Sequence, residues 1–386
     1  MVMEVVDILG MNGSLVELKD GALLSNDGRI SRDGGETWSE PRSFGEGISG
    51  NSITRLASGA LALVSPLGFE LGEVWHSHDE AKTWKGAGHI NAPAGSHDSE
   101  GDTMIQLGSG RLLYCWYNGV SGIHPDLSFE AKVARGRWRG KRYDVEGHGH
   151  IPEMGGTGVS WSDDEGKTWH YCSDDLRGPS ILFGWFDFKG EPNGMCGCTP
   201  CLEPSIAETG DGRVLLFGRS TVGRIVTSVS NDGGESWSAL RPTDLAASNS
   251  PPRLRRIPET GDLLCVWNQV SGEEIRRGFR RGRLSAAISR DRGVTWGNFK
   301  TIEVSEGLAD VARVEPDPEI RMVRARQDVG SLPDGFAMFH YCNVRFARNK
   351  VYLMYIRGNP EVGNAEQASA THHRVLRIYP LEWFYN

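Results

Sequence analysis

The 386-residue sequence has no run of about 18 or more uncharged apolar residues, so no segment is expected to span a membrane as a helix. Its first residues, Met1 to Asp7, lack both a basic stretch and a long apolar one. No secretory signal is read there, and a cytoplasmic location is expected. Long basic runs are missing and the net charge is −8, which argues against a nucleic-acid partner. Seven cysteines are few and odd in number, and read as reduced thiols rather than a disulfide framework. No helical period is sustained anywhere. With 38% hydrophobic and 24% charged residues, the chain is nonetheless apolar enough for a large core, and one domain over residues 1–386 is expected.

Glycine and tryptophan are abundant, at 50 and 12 residues. Glycine at about 13%, against a usual figure of about 7% and without a collagen period, means many tight turns. The tryptophans follow a pattern, Ser-x-Asp-x-Gly-x-Thr-Trp, found five times: SRDGGETW from Ser31, SHDEAKTW from Ser77, SDDEGKTW from Ser162, SNDGGESW from Ser230 and SRDRGVTW from Ser289. Ala81 and Ser236 are mild departures. Each copy makes sense as a hairpin turn, in which the aspartate folds back onto its own backbone N–H groups and glycine supplies a positive φ. The Thr-Trp pair then opens the next strand, where the indole is expected to pack between neighbouring units.

Upstream of most turns lies an apolar run, a glycine turn and a second apolar run, as in SLVELKDGALLS (14–25), TMIQLGSGRLLYCWY (103–117), SIAETGDGRVLLFGR (205–219) and RLRRIPETGDLLCVW (253–267). These read as β-hairpins. A sixth hairpin, over 336–356, lacks the Trp turn and is followed by a strand-like RVLRIYPLEWF (374–384). Units of roughly 40–50 residues with insertions predict an all-β fold, a six-bladed β-propeller of four-stranded antiparallel blades. An insertion at about 119–158 falls inside blade three. It is basic and glycine-rich and is read as a surface arm, with a lid or a homo-oligomer contact as the functional alternative.

Propeller geometry sorts the polar residues. The Asp-bearing turns face away from the starts of the inner strands. Residues at the start of strand one, the end of strand two or the start of strand three ring the axial mouth. Blade three brings His97, Asp98, Glu100 and Asp102 there; blade four, Glu203 and Arg219; blade five, Arg253 and Arg283; blade six, Tyr341 and Arg357. Two or more arginines at one mouth suit a carboxylate, which guanidinium grips in bidentate fashion.

Over almost its whole length the chain resembles the sialidase superfamily, specifically the bacterial-type Asp-box sialidases close to glycoside hydrolase family 33. The resemblance of LEPSIAETGDGRVLLFGRS (202–220) implies that Glu203 is the catalytic glutamate and Arg219 the second arginine of a carboxylate-binding triad. GRLSAAISRDRGVTW (282–296) implies Arg283 as the third, and FHYCNVRFARNKVYLMYI (339–356) implies Tyr341 as the nucleophile. A sialoside bears a carboxylate on its anomeric carbon, which would repel an anionic nucleophile. A neutral tyrosine avoids that, and needs a base such as Glu203 because its ordinary pKa is near 10.

Blade one departs from the family pattern. Its hairpin, MNGSLVELKDGALLSNDGRIS (11–31), has no arginine at its start and no extended loop to carry the acid/base aspartate; Asp27 and Arg29 lie in a very short turn. Asp98, beside His97, is the expected substitute acid/base, and Arg253 the expected substitute cation. The expected activity is retaining exo-hydrolysis of an acidic glycan, of a terminal sialic acid or related nonulosonic acid, without a cofactor. Action on a uronic acid by hydrolysis or elimination, or carbohydrate binding without catalysis, are the alternatives. Cys196, Cys198 and Cys201 could hold a soft metal with His148 or His150; free thiols in a crowded loop are the preferred reading, and no metal is assigned.

Overall fold

The computed structural model describes residues 2–6, 13–67, 70–92, 96–98, 102–118, 135–138, 141–144, 156–171, 173–174, 178–179, 184–185, 198–199, 201–320, 323, 332–358 and 373–386. Six antiparallel sheets form a six-bladed β-propeller on a four-stranded plan. Blade one holds Leu15–Glu17, Leu23–Ser25 and Ile30–Ser31, and blade two Ser52–Arg55, Leu61–Leu67, Glu70–Ser77 and Lys85–His89. Blade three holds Ile105–Gln106, Leu112–Asn118, Gly156–Ser162 and His170–Tyr171, with Ser96–Asp98 added beside Leu112–Asn118. Blades four and five run Leu202–Glu208, Val214–Arg219, Arg224–Ser230, Arg241–Ala246 and Arg253–Arg256, Leu263–Trp267, Arg283–Ser289, Gly297–Val304. Blade six holds Met338–Ala347, Lys350–Gly358 and His373–Pro380, and its outer strand is the N-terminal Met3–Val6. Pairing an N-terminal strand with the C-terminal one in a single blade closes the ring.

The strand expected over 374–384 ends at Pro380, and Leu381–Phe384 form a 3₁₀ turn. The reason is packing: Trp383 and Phe384 stack on Tyr379 at 4.5 and 5.4 Å between ring centres. Apart from that turn, a five-residue α-helix, Gly272–Arg276, is the helical element among the described residues. No described helix is long and apolar enough to cross a membrane.

Six hydrophobic clusters each join two neighbouring blades. The repeat tryptophans supply that contact: Trp84 meets Phe44 of the preceding unit at 5.3 Å, and Trp296 meets Phe217 at 5.4 Å. Within a turn, Asp79 accepts from Ser77 Oγ (2.9 Å), Thr83 N (2.9 Å) and Thr83 Oγ1 (2.6 Å), and the other four copies repeat the set. Glycine at the fifth position is favoured on two counts. Gly234 has φ +95°, and a Cβ on it would lie 2.9 Å from Leu113. Ala81 takes that position at φ +64°, and the Trp84 indole N–H has no partner among the described residues, whereas Trp38, Trp169 and Trp237 donate to the glycine carbonyl.

These bonds make the turns sensitive to acid. Hydroxyls of Thr37 and Thr83 hold Asp33 and Asp79 below the usual carboxylate range. In Asp164, Asp232 and Asp291 burial pulls upward, and bonds from Thr168, Ser236 and Thr295 outweigh it. Asp79 and Asp164 are lowered to about 2. A depressed folded pKa contributes stability that is complete above the unfolded value, about 3.9, and lost as pH falls through the folded one. The melting temperature is therefore expected to drop as pH falls from about 4 to about 2. Asp79→Asn should flatten that slope, and thermal melts across the window would show it; an unchanged slope would contradict the account.

Candidate active site

Two irregular inner strands set up the mouth. In blade four Leu202 pairs with Arg219 and Ser205 with Phe217, so one extra residue is squeezed in at Glu203–Pro204. In blade six His340 pairs with Ile356 and Asn343 with Met354, with the same excess at Tyr341–Cys342. Glu203 and Tyr341 adopt φ +44° and +50°, a conformation that non-glycine residues hold at an energetic cost of about 1–3 kcal/mol. Bulges of this kind re-aim a side chain out of the regular alternation. Matching bulges at the carboxylate and the phenol, in blades two apart, mark a built site.

Two arginines link them. Arg219, at the end of the second strand of blade four, donates from Nη1 to Glu203 Oε2 at 2.7 Å and from Nε to Asn249 Oδ1 at 2.6 Å. Burial would lower its pKa; the charge and hydrogen bond of Glu203, with Tyr341 and Tyr117 nearby, raise it instead. Arg281, at φ +57° in the link between the second and third strands of blade five, places its guanidinium 5.3 Å from the Tyr341 ring centre. Burial and then the neighbouring Arg219 charge lower its pKa, against Tyr341 and Glu203. Its Nη1 lies 2.8 Å from His340 Nδ1. Since guanidinium only donates, that imidazole nitrogen accepts. Glu203, Tyr341, Arg219 and Arg281 thus share one electrostatic environment.

Arg283 stands elsewhere. It is fully buried and donates to Glu274 (3.0 and 3.2 Å), Gln269 O (3.0 Å) and Ala309 O (2.7 Å). Glu274 belongs to the helix Gly272–Arg276, where Ser271 and Glu274 form a capping box. This internal carboxylate draws Arg283 into the blade, and the arginine two residues earlier is the one beside Tyr341. The Ser-x-x-Glu signal at 271–274 could have flagged Glu274 as a local partner.

Arg253 and Asp102 lie on the axis, buried, rather than at the rim. Arg253 donates to Cys342 O at 3.1 Å and to Asp102 O at 3.3 Å. The Asp102 carboxylate accepts from Ser52 Oγ (2.6 Å) and Ser14 Oγ (3.1 Å), and is paired with Arg345 and with Arg255 (3.3 Å). Arg255 also lies 3.4 Å from Ser205 Oγ. All six inner strands or their leads contribute to this cluster. Burial opposes ionisation of Asp102, but Arg345 and Arg255 overcome it and hold its pKa low. Burial, the largest influence on Arg255, pushes it down to about 10. Two guanidiniums on the carboxylate and a third, Arg253, on the backbone carbonyl of the same residue leave two excess positive charges on the axis.

Asp98 and His97 pair by backbone with Trp116 and Tyr117 on the added strand of blade three; their side chains lie outside the described residues, as does Glu100. Tyr117, which pairs with His97, is the last and smallest of the influences that raise the pKa of Arg219. Arg357 pairs with Glu303 at the seam of blades five and six. Asp27 is tied to Arg29 at 2.9 Å in its tight turn. Cys196 and the two histidines near 150 lie outside the described residues; Cys201 is a buried free thiol whose pKa burial raises. Among the described residues no group of three or more His, Cys, Asp or Glu could hold a metal. The arm at 119–158 contributes one described ribbon, Arg135–Trp138 paired with Lys141–Asp144.

Residues 77–353 match the family model of the BNR repeat-like domain, and residues 29–40 match that of the BNR/Asp-box repeat. No curated protein sequence matches the chain. Among solved structures it is similar to an α-L-arabinofuranosidase from Fusarium graminearum, with TM-score 0.52 and 12% identity, covering 99% of this chain and 98% of that one. It is similar to an α-L-arabinanase from Penicillium chrysogenum, at TM-score 0.50 and 12% identity over 99% and 98%. A Hadza microbial sialidase overlaps at TM-score 0.49 and 15% identity, over 96% of this chain and 65% of that chain. At such identities the likeness is one of fold.

Proposed function

This chain belongs to the BNR repeat-like domain family and is sialidase-like, and from that premise we propose that it is a retaining exo-glycosidase that removes a terminal acidic sugar, a sialic or related nonulosonic acid. One observation carries the reading: a buried carboxylate and a phenol on matching bulges, the carboxylate bonded by the guanidinium of Arg219 and the phenol ring covered by that of Arg281. In this reading Tyr341 attacks the anomeric carbon and Glu203 takes its proton. Arg219 and Arg281 hold the substrate carboxylate, Arg281 taking the role the sequence suggested for Arg283. The excess charge of Arg253, Arg255 and Arg345 makes the floor of the mouth attractive to an anion. A carboxylic acid must protonate the leaving oxygen, and Asp98, on the strand beside Tyr117, is the group proposed for it, with His97 next to it.

The two fungal structures named above are of arabinose-directed enzymes. Glu203 offsets one of the two guanidiniums at this mouth, and a neutral sugar would leave the other uncompensated, which favours the acidic one. The test is a hydrolysis screen of sialosides with different acyl groups, nonulosonates, uronides and arabinosides, with product analysis. Elimination on a uronide would leave an unsaturated sugar absorbing in the ultraviolet; release of arabinose alone would overturn the proposal.

The two arginines give separate readouts. Arg281→Gln removes charged hydrogen bonds worth about 1.5–3 kcal/mol, so kcat/KM on the acidic sugar is expected to fall roughly 10- to 150-fold, mostly through KM. Arg283→Gln is expected to lower the melting temperature instead, because it strands Glu274 in the blade. Steady-state kinetics and melts on both variants check this, and the reverse pattern would restore the original assignment.

A further inference from the structure

We propose that Asn249 is a positioning residue that sets this site's preference for a carboxylate, by fixing the planes of Arg219 and Arg281 together; this rests on the acidic-sugar reading. Asn249 lies in the link between the outer strand of blade four and the inner strand of blade five, at the mouth face. The link is stiff. Ser248 N donates to Asn268 O (3.2 Å), the Ser248 and Ser250 hydroxyls meet at 2.8 Å, and Pro251 and Pro252 follow, both buried. Asn249 itself is exposed between two buried serines, so its side chain is presented outward from a fixed backbone.

From there it reaches both arginines. Oδ1 accepts Nε of Arg219 at 2.6 Å, and the backbone carbonyl lies 3.5 Å from Nη2 of Arg281. With Glu203 on Nη1, Arg219 has two in-plane partners, which fix a planar guanidinium in rotation and tilt. Among the described residues nothing accepts from its Nη2, so that nitrogen is left for a ligand. Arg281 is held in the same way by His340 on one nitrogen and the Asn249 carbonyl on the other. A neutral amide suits this position: aspartate would keep the hydrogen bond but add a negative charge against the incoming carboxylate.

Asn249→Ala and Asn249→Asp are the variants, each assayed on an acidic sugar glycoside and on its methyl ester. For Asn249→Ala, KM for the acid is expected to rise about tenfold with kcat changed less than about twofold, while the ester is unaffected, so the acid-over-ester preference shrinks about tenfold. Asn249→Asp is expected to lose at least as much on the acid. Equal losses on acid and ester, or no loss on either, would overturn the proposal. If the wild type hydrolyses no acidic sugar, the substrate reading fails, and the positioning claim is decided by the Arg219 Nε–H resonance. Slow exchange in the wild type and in Asn249→Asp, lost in Asn249→Ala, supports it; fast exchange in the wild type refutes it.

Discussion

Tyr341→Phe is expected to lower turnover of an acidic sugar glycoside by about 10⁴-fold or more while leaving the melting temperature within a degree or so of wild type. The substitution removes one oxygen and keeps the ring. Arg281 still has an aromatic face 5.3 Å from its guanidinium, and the bulge at Tyr341–Cys342 still holds its φ of +50°. Since remote binding contacts also survive, KM should change far less than kcat. Mass spectrometry gives an independent check. A sugar with fluorine beside the anomeric centre, which slows release, is expected to leave a covalent adduct on a peptide containing Tyr341, absent from Tyr341→Phe. Undiminished turnover by the variant would end the nucleophile assignment, and a fold-wide drop in melting temperature would show that the phenol has a structural role instead.

The bulges also explain what could be read in advance. The repeat Ser-x-Asp-x-Gly-x-Thr-Trp encodes a local turn and an inter-blade contact at once, so the six-bladed ring was legible, as were its hairpins. Ring closure by Met3–Val6 was not, because a four-residue strand at a chain end carries no period of its own. At the site, Arg219 and Arg283 stood out because each interrupts an apolar strand, and Glu203 by its place before Pro204 at the mouth. Arg281 and Arg283 have the same chemistry two residues apart, and their fates diverge on a backbone feature, the positive φ of Arg281, and on Glu274. Asn249, His340 and Tyr117 are ordinary residues in sequence; only the fold brings them to the arginines. The axial cluster was partly legible: Arg253 and Arg255, like Asn343 and Arg345, alternate along inner strands and so share a face. That Asp102 would be their common partner depends on assembling six blades around one axis.

Asp102→Asn is therefore expected to be the most destabilising single change in the chain, by about 3–5 kcal/mol, because it leaves Arg255 and Arg345 buried against a neutral amide. The Ser14 and Ser52 hydroxyls can still reach the amide oxygen, but the amide NH2 then faces the donor-only guanidiniums of Arg255 and Arg345, so charge and acceptor are lost together. Acid provides a second measure. The native carboxylate is held low by Arg345 and Arg255, so its contribution is whole above the unfolded value near 3.9 and disappears as pH falls below it. The stability gap between wild type and Asp102→Asn should thus be wide at pH 7 and narrow toward pH 3. Affinity for an acidic ligand is expected to hold or improve in whatever fraction stays folded, since the floor of the mouth gains one positive charge. Denaturant unfolding at several pH values, with ligand titration at pH 7, separates the two effects. A gap that stays constant with pH, or a variant as stable as wild type, would mean that Arg255 and Arg345 do not depend on this carboxylate.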